Sequence, residues 1–218
     1  MSRDSDSTSP RRLREDRDHS WTFFRQWLRN PLGIAAVSPS SRELAQKMLS
    51  AMQPDARRVV ELGGGTGVFT RALIERGVAP SDLLVLELNQ ALYQHLRDRF
   101  AGVHVVCADA RQLHDVAVSS GYLDAGPADA VLSGLGVLSM PRPSQREILR
   151  AAFAVMGPEG RFIQFTYGPV NPVAREVMGE LDLHAERTGF TLWNVPPAAV
   201  YVISRSRSRR VAPVRAAR

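Results

Sequence analysis

What the chain lacks narrows its class before any motif is read. Its 218 residues include one cysteine, Cys107, which excludes an internal disulfide framework and a cysteine zinc site. No run approaches the ~18 consecutive apolar residues of a membrane-spanning helix. The opening Met1-Ser2-Arg3-Asp4-Ser5-Asp6 has no apolar signal-peptide core, so a cytoplasmic protein is expected. The five histidines (19, 95, 104, 114 and 184) show no H-x-x-x-H spacing, and no metal site is expected. Acidic residues are missing from 205–218, where six arginines fall. Residues 1–19 balance five arginines against five acids, so 20–204 carry 17 basic and 17 acidic residues. The net charge of +6 therefore sits in the tail, and a body that tracks along nucleic acid is not indicated.

What is present has ordinary globular composition, 44% hydrophobic and 23% charged, at a length suited to one domain. The polar, period-free segment 1–19 reads as disordered, 20–204 as the folded domain, and 205–218 as a disordered arginine-rich tail. Within the domain, 20–30 (SWTFFRQWLRN) is an aromatic-rich helix candidate closed by Pro31. Two Ser-x-x-Glu capping boxes, Ser40 to Glu43 and Ser144 to Glu147, predict helix starts. Each precedes an apolar face at helical spacing: Leu44, Ala45, Met48, Leu49, Met52, then Ile148, Leu149, Ala152, Phe153, Met156.

Short apolar runs of strand length lie at 58–62, 83–88, 103–107, 128–132 and 161–167, with helical segments at 69–76 and 91–100 between them. Buried strands alternating with amphipathic helices predict an α/β, doubly wound, mostly parallel sheet. Beyond residue 180 the alternation stops. Segments 184–193 and 199–204, joined by Asn194-Val195-Pro196-Pro197, predict an antiparallel, hairpin-like end and bring the count to seven strands.

The strongest motif is Val59-Val60-Glu61-Leu62-Gly63-Gly64-Gly65-Thr66-Gly67, a strand running into a glycine loop and then a helix. Gly63, Gly65 and Gly67 allow positive φ, and the helix start beyond them favours a carboxylate or phosphate. A dinucleotide fingerprint G-x-G-x-x-G fails, because its third glycine would be Val68 or Thr70. An acid two residues before G-x-G-x-G is instead the first motif of class I S-adenosylmethionine-dependent methyltransferases. Glu87, at the end of the next strand, can accept both hydroxyls of a ribose. Asp109, in Ala108-Asp109-Ala110, resembles the acid that meets the adenine amine in these enzymes, with Ala110 beside it.

From about Phe24 to Arg205 the chain resembles the small bacterial phospholipid N-methyltransferases that methylate phosphatidylethanolamine. The stretches that carry the resemblance are AVSPSS (36–41), ELGGGTGVFT (61–70), SGLGVLS (133–139), QFTYGP (164–169) and NVPPAAVY (194–201). Gly136 stands where that pattern has proline and Val195 where it has leucine, which bears on substrate range more than on reaction class. The resemblance implies a seven-stranded, Rossmann-like class I fold, S-adenosylmethionine as cofactor and a phospholipid amine as acceptor. An adenine-methylating rRNA enzyme is the nearest rival. Its fourth strand would end in Asn/Asp-Pro-Pro-aromatic, and here Ser133-Gly134-Leu135-Gly136 stands instead, so nucleic acid is not the expected partner. The glycine loop is equally compatible with a small-molecule methyltransferase or a non-catalytic cofactor-binding protein. No obligate protein partner is evident.

Methyl transfer from a sulfonium needs positioning and exclusion of water more than side-chain acid–base chemistry. Aromatic faces hold the cation that builds up at nitrogen with about 0.5–2 kcal/mol per contact. Tyr167 and Ser133, at the ends of the fifth and fourth strands, are the candidate catalytic residues; Tyr167 reads equally well as core packing. Trp21, Phe24 and Trp27 share a helical face with Arg25 and Arg29 nearby, the composition of an interfacial helix. The same segment also reads as a lid over the cleft. With the tail's arginines, it predicts peripheral attachment to the anionic inner face of the cell membrane.

Overall fold

The computed structural model describes residues 39–167, 170–191 and 198–206. Segments 1–19 and 20–30, with Trp21, Phe24, Arg25, Trp27 and Arg29, lie outside them, as do the 194–197 connection and the tail beyond Ser206.

The alternation of buried strands and amphipathic helices folds as expected. After α1 (Pro39–Ser50) come β1 (Val59–Leu62), α2 (Val68–Arg76), β2 (Leu83–Glu87), α3 (Gln90–Arg99) and β3 (His104–Cys107). The second half runs α4 (Leu113–Ser119), β4 (Ala128–Ser133), α5 (Arg142–Val155), β5 (Met156–Tyr167), α6 (Arg175–Glu180), β6 (Leu183–Thr191) and β7 (Ala198–Arg205). All seven strands form one sheet in the order β3-β2-β1-β4-β5-β7-β6. β1 to β5 pair in parallel, and β7 runs antiparallel to both β5 and β6. The predicted hairpin-like end is therefore present, with β7 seated inside β6.

β1 and β2 are buried on both faces, which is why they read as unbroken apolar runs. On one face Val60, Leu62, Leu84, Leu86, Val131 and Phe162 pack against residues of α4, α5 and α6. On the other, Val59, Val85, Leu132 and Ile163 pack against α1, α2 and α3. Burying each large aliphatic side chain contributes about 1.5–3 kcal/mol, so these two layers dominate the fold's stability.

The capping boxes are not how the helices begin. α1 starts at Pro39, so Ser40 is already helical. α5 starts at Arg142 with no side-chain cap, and Ser144 is its third residue. Prolines explain the earlier starts, since their fixed φ suits the first helical turn. At α5 the polar work passes to buried Gln145. Its Nε2 donates to the carbonyls of Val137 and Met140, both at 3.0 Å, and its Oε1 accepts from Ala174 N at 2.9 Å. β5 also starts before the expected Arg161. It begins at Met156, paired with Ala128, and bulges before Arg161 pairs with Ala130.

Candidate active site

The chain lays down β2 and β3 on one side of β1, then crosses back to place β4 on the other. The strand order reverses there, and a crevice opens at the carboxyl ends of β1 and β4, where open α/β sheets bind ligands. Backbone meets backbone across it: a Cβ on Gly134 would stand 2.9 Å from Gly63 O.

The glycine loop leaves β1 with Gly63 N bonded to Leu86 O at 2.8 Å. Gly63, Gly65 and Gly67 take φ of 75°, 55° and 81°, a region that side chains disfavour. Gly64 has a different reason to be glycine. A Cβ there would lie 2.6 Å from Val85 Cγ1 and 2.8 Å from Leu96 Cδ1, so its bareness lets α3 pack beneath the loop.

Three carboxylates stand at consecutive strand ends, each in a different state. Glu61 is fully buried; its Oε2 accepts from Thr70 Oγ1 at 2.6 Å and its Oε1 has no partner. Burial pushes its carboxyl from 4.5 up to about 8, with the Thr70 bond opposing and the Glu87 charge adding to the rise. Glu87 braces the loop, accepting from Gly65 N at 2.9 Å and Asn89 N at 2.8 Å. Asp109 caps the short turn 110–112 and is gripped by Arg111, with Nη2 at 2.7 Å from Oδ2 and Nε at 3.0 Å from Oδ1. The hydrogen bond to Arg111 holds Asp109 below the usual carboxylate range. Ala110 opens that turn. Sequence spacing aligns these acids but carries no sign of their partners Thr70 and Arg111.

On the β4–β5 side the structure separates two residues that were expected to act together. Ser133 pairs with Gln164, so the two side chains share a face, and Tyr167 three residues on faces the other way. Ser133 has no exposure, and its Oγ accepts from Leu135 N at 3.3 Å, bracing the turn after β4. Gln164 Nε2 joins that turn by donating to Leu135 O at 2.8 Å. Tyr167 is half-buried, and burial pushes its phenol up. It meets Phe165 edge-on at 5.6 Å, and Phe165 meets Phe69 of α2 at 6.3 Å. Sequence reasoning missed both phenylalanines. Phe165 has a period-two signal beside Tyr167, but nothing local links either to Phe69.

Among the described residues no group of three His, Cys, Asp or Glu is placed to hold a metal ion. Among them, too, no helix is long and apolar enough to cross a membrane.

The strand order, the reversal point and a strand–glycine loop–helix at its centre define the class I methyltransferase architecture. The family described as "Methyltransferase domain" matches residues 59–160. Over 185 residues the chain is 32% identical to the ornithine lipid N-methyltransferase of Singulisphaera acidiphila, covering 82% of this chain and 92% of that one. Among solved structures, a TehB-like methyltransferase from Corynebacterium glutamicum superposes with a TM-score of 0.57 at 17% identity, covering 87% of this chain and 99% of that one. Magnesium protoporphyrin IX methyltransferase from Synechocystis gives 0.56 at 13%, covering 93% and 100%. The chain belongs to the class I S-adenosylmethionine-dependent methyltransferases.

S-adenosylmethionine is the cofactor of that family, and the site fits it. Glu61 Oε1 is a buried acceptor without a partner, and the glycine loop is a bare cradle at positive φ.

Proposed function

We propose that the protein methylates the primary amine of an amino-lipid headgroup, with phosphatidylethanolamine as acceptor. The carrying observation is likeness along nearly the whole chain to a lipid N-methyltransferase. Because that relative's name specifies ornithine lipid, an ornithine headgroup is the second reading. Both present an unhindered aliphatic amine on a lipid.

When bound, S-adenosylmethionine supplies an activated methyl group. In this reading Gly63, Gly65 and Gly67 let the methionyl part lie against backbone, while Glu61 offers its unpaired oxygen to that part's cationic end. Each Glu87 oxygen accepts one backbone bond and retains a lone pair, so ribose hydroxyls can be accepted without releasing the loop. Asp109 and Ala110 border the adenine end. Tyr167 faces the acceptor, and Ser133 keeps the turn after β4 in place. The headgroup amine attacks once it is neutral and aligned, so the chain's task is to orient it and keep water out. Trp21, Phe24, Trp27, Arg25, Arg29 and the tail arginines would bring this site to an anionic surface.

The test is transfer of labelled methyl from S-adenosylmethionine to vesicles of phosphatidylethanolamine, vesicles of ornithine lipid, free ethanolamine and rRNA. Labelling of phosphatidylethanolamine that rises with anionic lipid and falls with salt is expected. Labelling of ornithine lipid alone selects the second reading. Labelling of rRNA or free amine, or of nothing, overturns the amino-lipid assignment.

A further inference from the structure

Phe69, Phe165 and Tyr167 come from two elements far apart in the chain and meet at one end of the crevice. Phe69 lies in the first turn of α2, two residues after Gly67. Its Cε2 is 3.7 Å from where a Cβ on Gly134 would stand, which sets it against the turn that follows β4. Phe165 and Tyr167 are alternate residues at the end of β5 and so share its face. The ring centroids step from Phe69 to Phe165 at 6.3 Å, tilted by 53°, and from Phe165 to Tyr167 at 5.6 Å, crossed at 78°. All three rings are half-buried, whereas Leu132 and Ile163 beneath them on the same sheet face have no exposure.

We propose that these three rings form the wall against which the methylated nitrogen rests between rounds of transfer, and that the wall sets how many methyl groups are added. The inference rests on the amino-lipid reading and extends it to product range. In each round nitrogen's lone pair forms one N–C bond and one S–C bond breaks, its electron pair leaving on the thioether of S-adenosylhomocysteine. The nitrogen then releases one proton before its lone pair can act again. A third round leaves a quaternary ammonium with no proton to lose. Each methyl makes the cation larger and harder to hydrate, so it gains from ring faces where a bare ammonium gains from water. The ring edges that pack together leave faces of different tilt, which suits a tetrahedral group better than a flat base would be suited.

The test compares wild type with Phe69→Leu, Phe165→Leu and Phe165→Trp, using vesicles of the accepted amino lipid. It reads the ratio of di- and trimethylated to monomethylated lipid. Leucine keeps apolar volume and removes the π face, and tryptophan strengthens that face. The ratio is expected to fall about fivefold or more in the leucine variants and to hold or rise in Phe165→Trp, with S-adenosylhomocysteine still stabilising each protein in a thermal shift. Equal ratios in all four proteins overturn the wall, as does a wild type that stops at one methyl. A second arm measures phosphocholine binding to the S-adenosylhomocysteine complex by calorimetry. Loss of phosphocholine affinity in Phe165→Leu supports the wall even where no amino lipid is methylated, so failure of the substrate reading is distinguishable. Absence of phosphocholine binding to the wild type overturns the wall itself.

Discussion

On the β1–β3 side of the crevice the polar groups that shape the site are carboxylates: Glu61 on Thr70, Glu87 on the loop backbone, Asp109 on Arg111. On the β4–β7 side they are neutral amides. Gln145 ties Val137, Met140 and Ala174 together, and Gln164 ties the turn at Leu135. Beside those amides stand aromatic rings. A sulfonium cofactor carries positive charge and gains from carboxylates. An acceptor amine must shed a proton to attack, and a carboxylate beside it would hold that proton in place. Under the proposed function, rings and amides would surround the amine without that penalty, and the division of charge across the crevice suits that division of chemical labour.

The largest effect that would break this contrast concerns Glu61. Its proton is held more tightly in the folded protein than in the unfolded chain. The stabilisation is therefore complete below about 4.5 and is lost as pH rises through about 8. The shift corresponds to an effect on the order of 5 kcal/mol across that window. Thermal melts of the free protein between about pH 5 and pH 9 should fall more steeply for wild type than for Glu61→Gln. Parallel slopes would mean that Glu61 is ionised in the folded protein as it is in the unfolded chain, which would add a charge to the β1–β3 side and sharpen its contrast with the amides.

On the amide side, Gln145→Leu strands the Met140 carbonyl and the Ala174 N–H, while Val137 O keeps its bond from Met140 N. At about 1–3 kcal/mol for a buried group left unpaired, a loss near ~3 kcal/mol is expected in the urea midpoint. S-adenosylhomocysteine should still raise the variant's melting temperature, because the loop at Gly63–Gly67 makes no bond to Gln145. Loss of that response would show the two sides to be coupled.

The smallest effect belongs to Arg111→Ala. Freed from the guanidinium, Asp109 should titrate closer to an ordinary aspartate, read from its side-chain carboxyl resonance against pH. Its folded value is depressed, so its stabilising contribution is present above the unfolded pKa and fades as pH falls through the folded one. The pair is largely exposed and screened, so the melting temperature at neutral pH should barely move. An unshifted Asp109 resonance would show that Arg111 is not what depresses it.

The carboxylate side was legible because its signals are local. Glu61 and the glycine loop lie within a few residues of each other, Glu87 and Asp109 each lie at or just past the end of a short apolar run, and parallel pairing brings those ends together. The amide and aromatic side was not. Gln145 reads as one polar residue in an amphipathic helix until Ala174 arrives from beyond β5. Phe69 looks like an ordinary first-turn residue until β5 lays Phe165 beside it. Ser133 and Tyr167 each sit at a strand end, but which face each takes depends on the register Ser133–Gln164, which no short window contains. The capping boxes misled for a related reason, since prolines just upstream had already started both helices.

The position of β7 governs how the molecule can be made. Although it follows β6 in the chain, it lies between β6 and β5, bonded to both. Until β7 has been synthesised, β5 offers an open backbone edge flanked by Phe162 and Ile163, a template for pairing with another chain. Nascent protein is thus most prone to association while β6 is already out and has no neighbour to join. Phe165 and Tyr167 on β5 gain their partners Val200 and Ala198 only when β7 slots in, so that end of the sheet waits on the last described strand. The glycine loop's partners Leu86, Glu87 and Gly134 all lie well before β7 in the chain. Translation order therefore delivers every strand-end carboxylate and the glycine loop before the strand that completes the sheet.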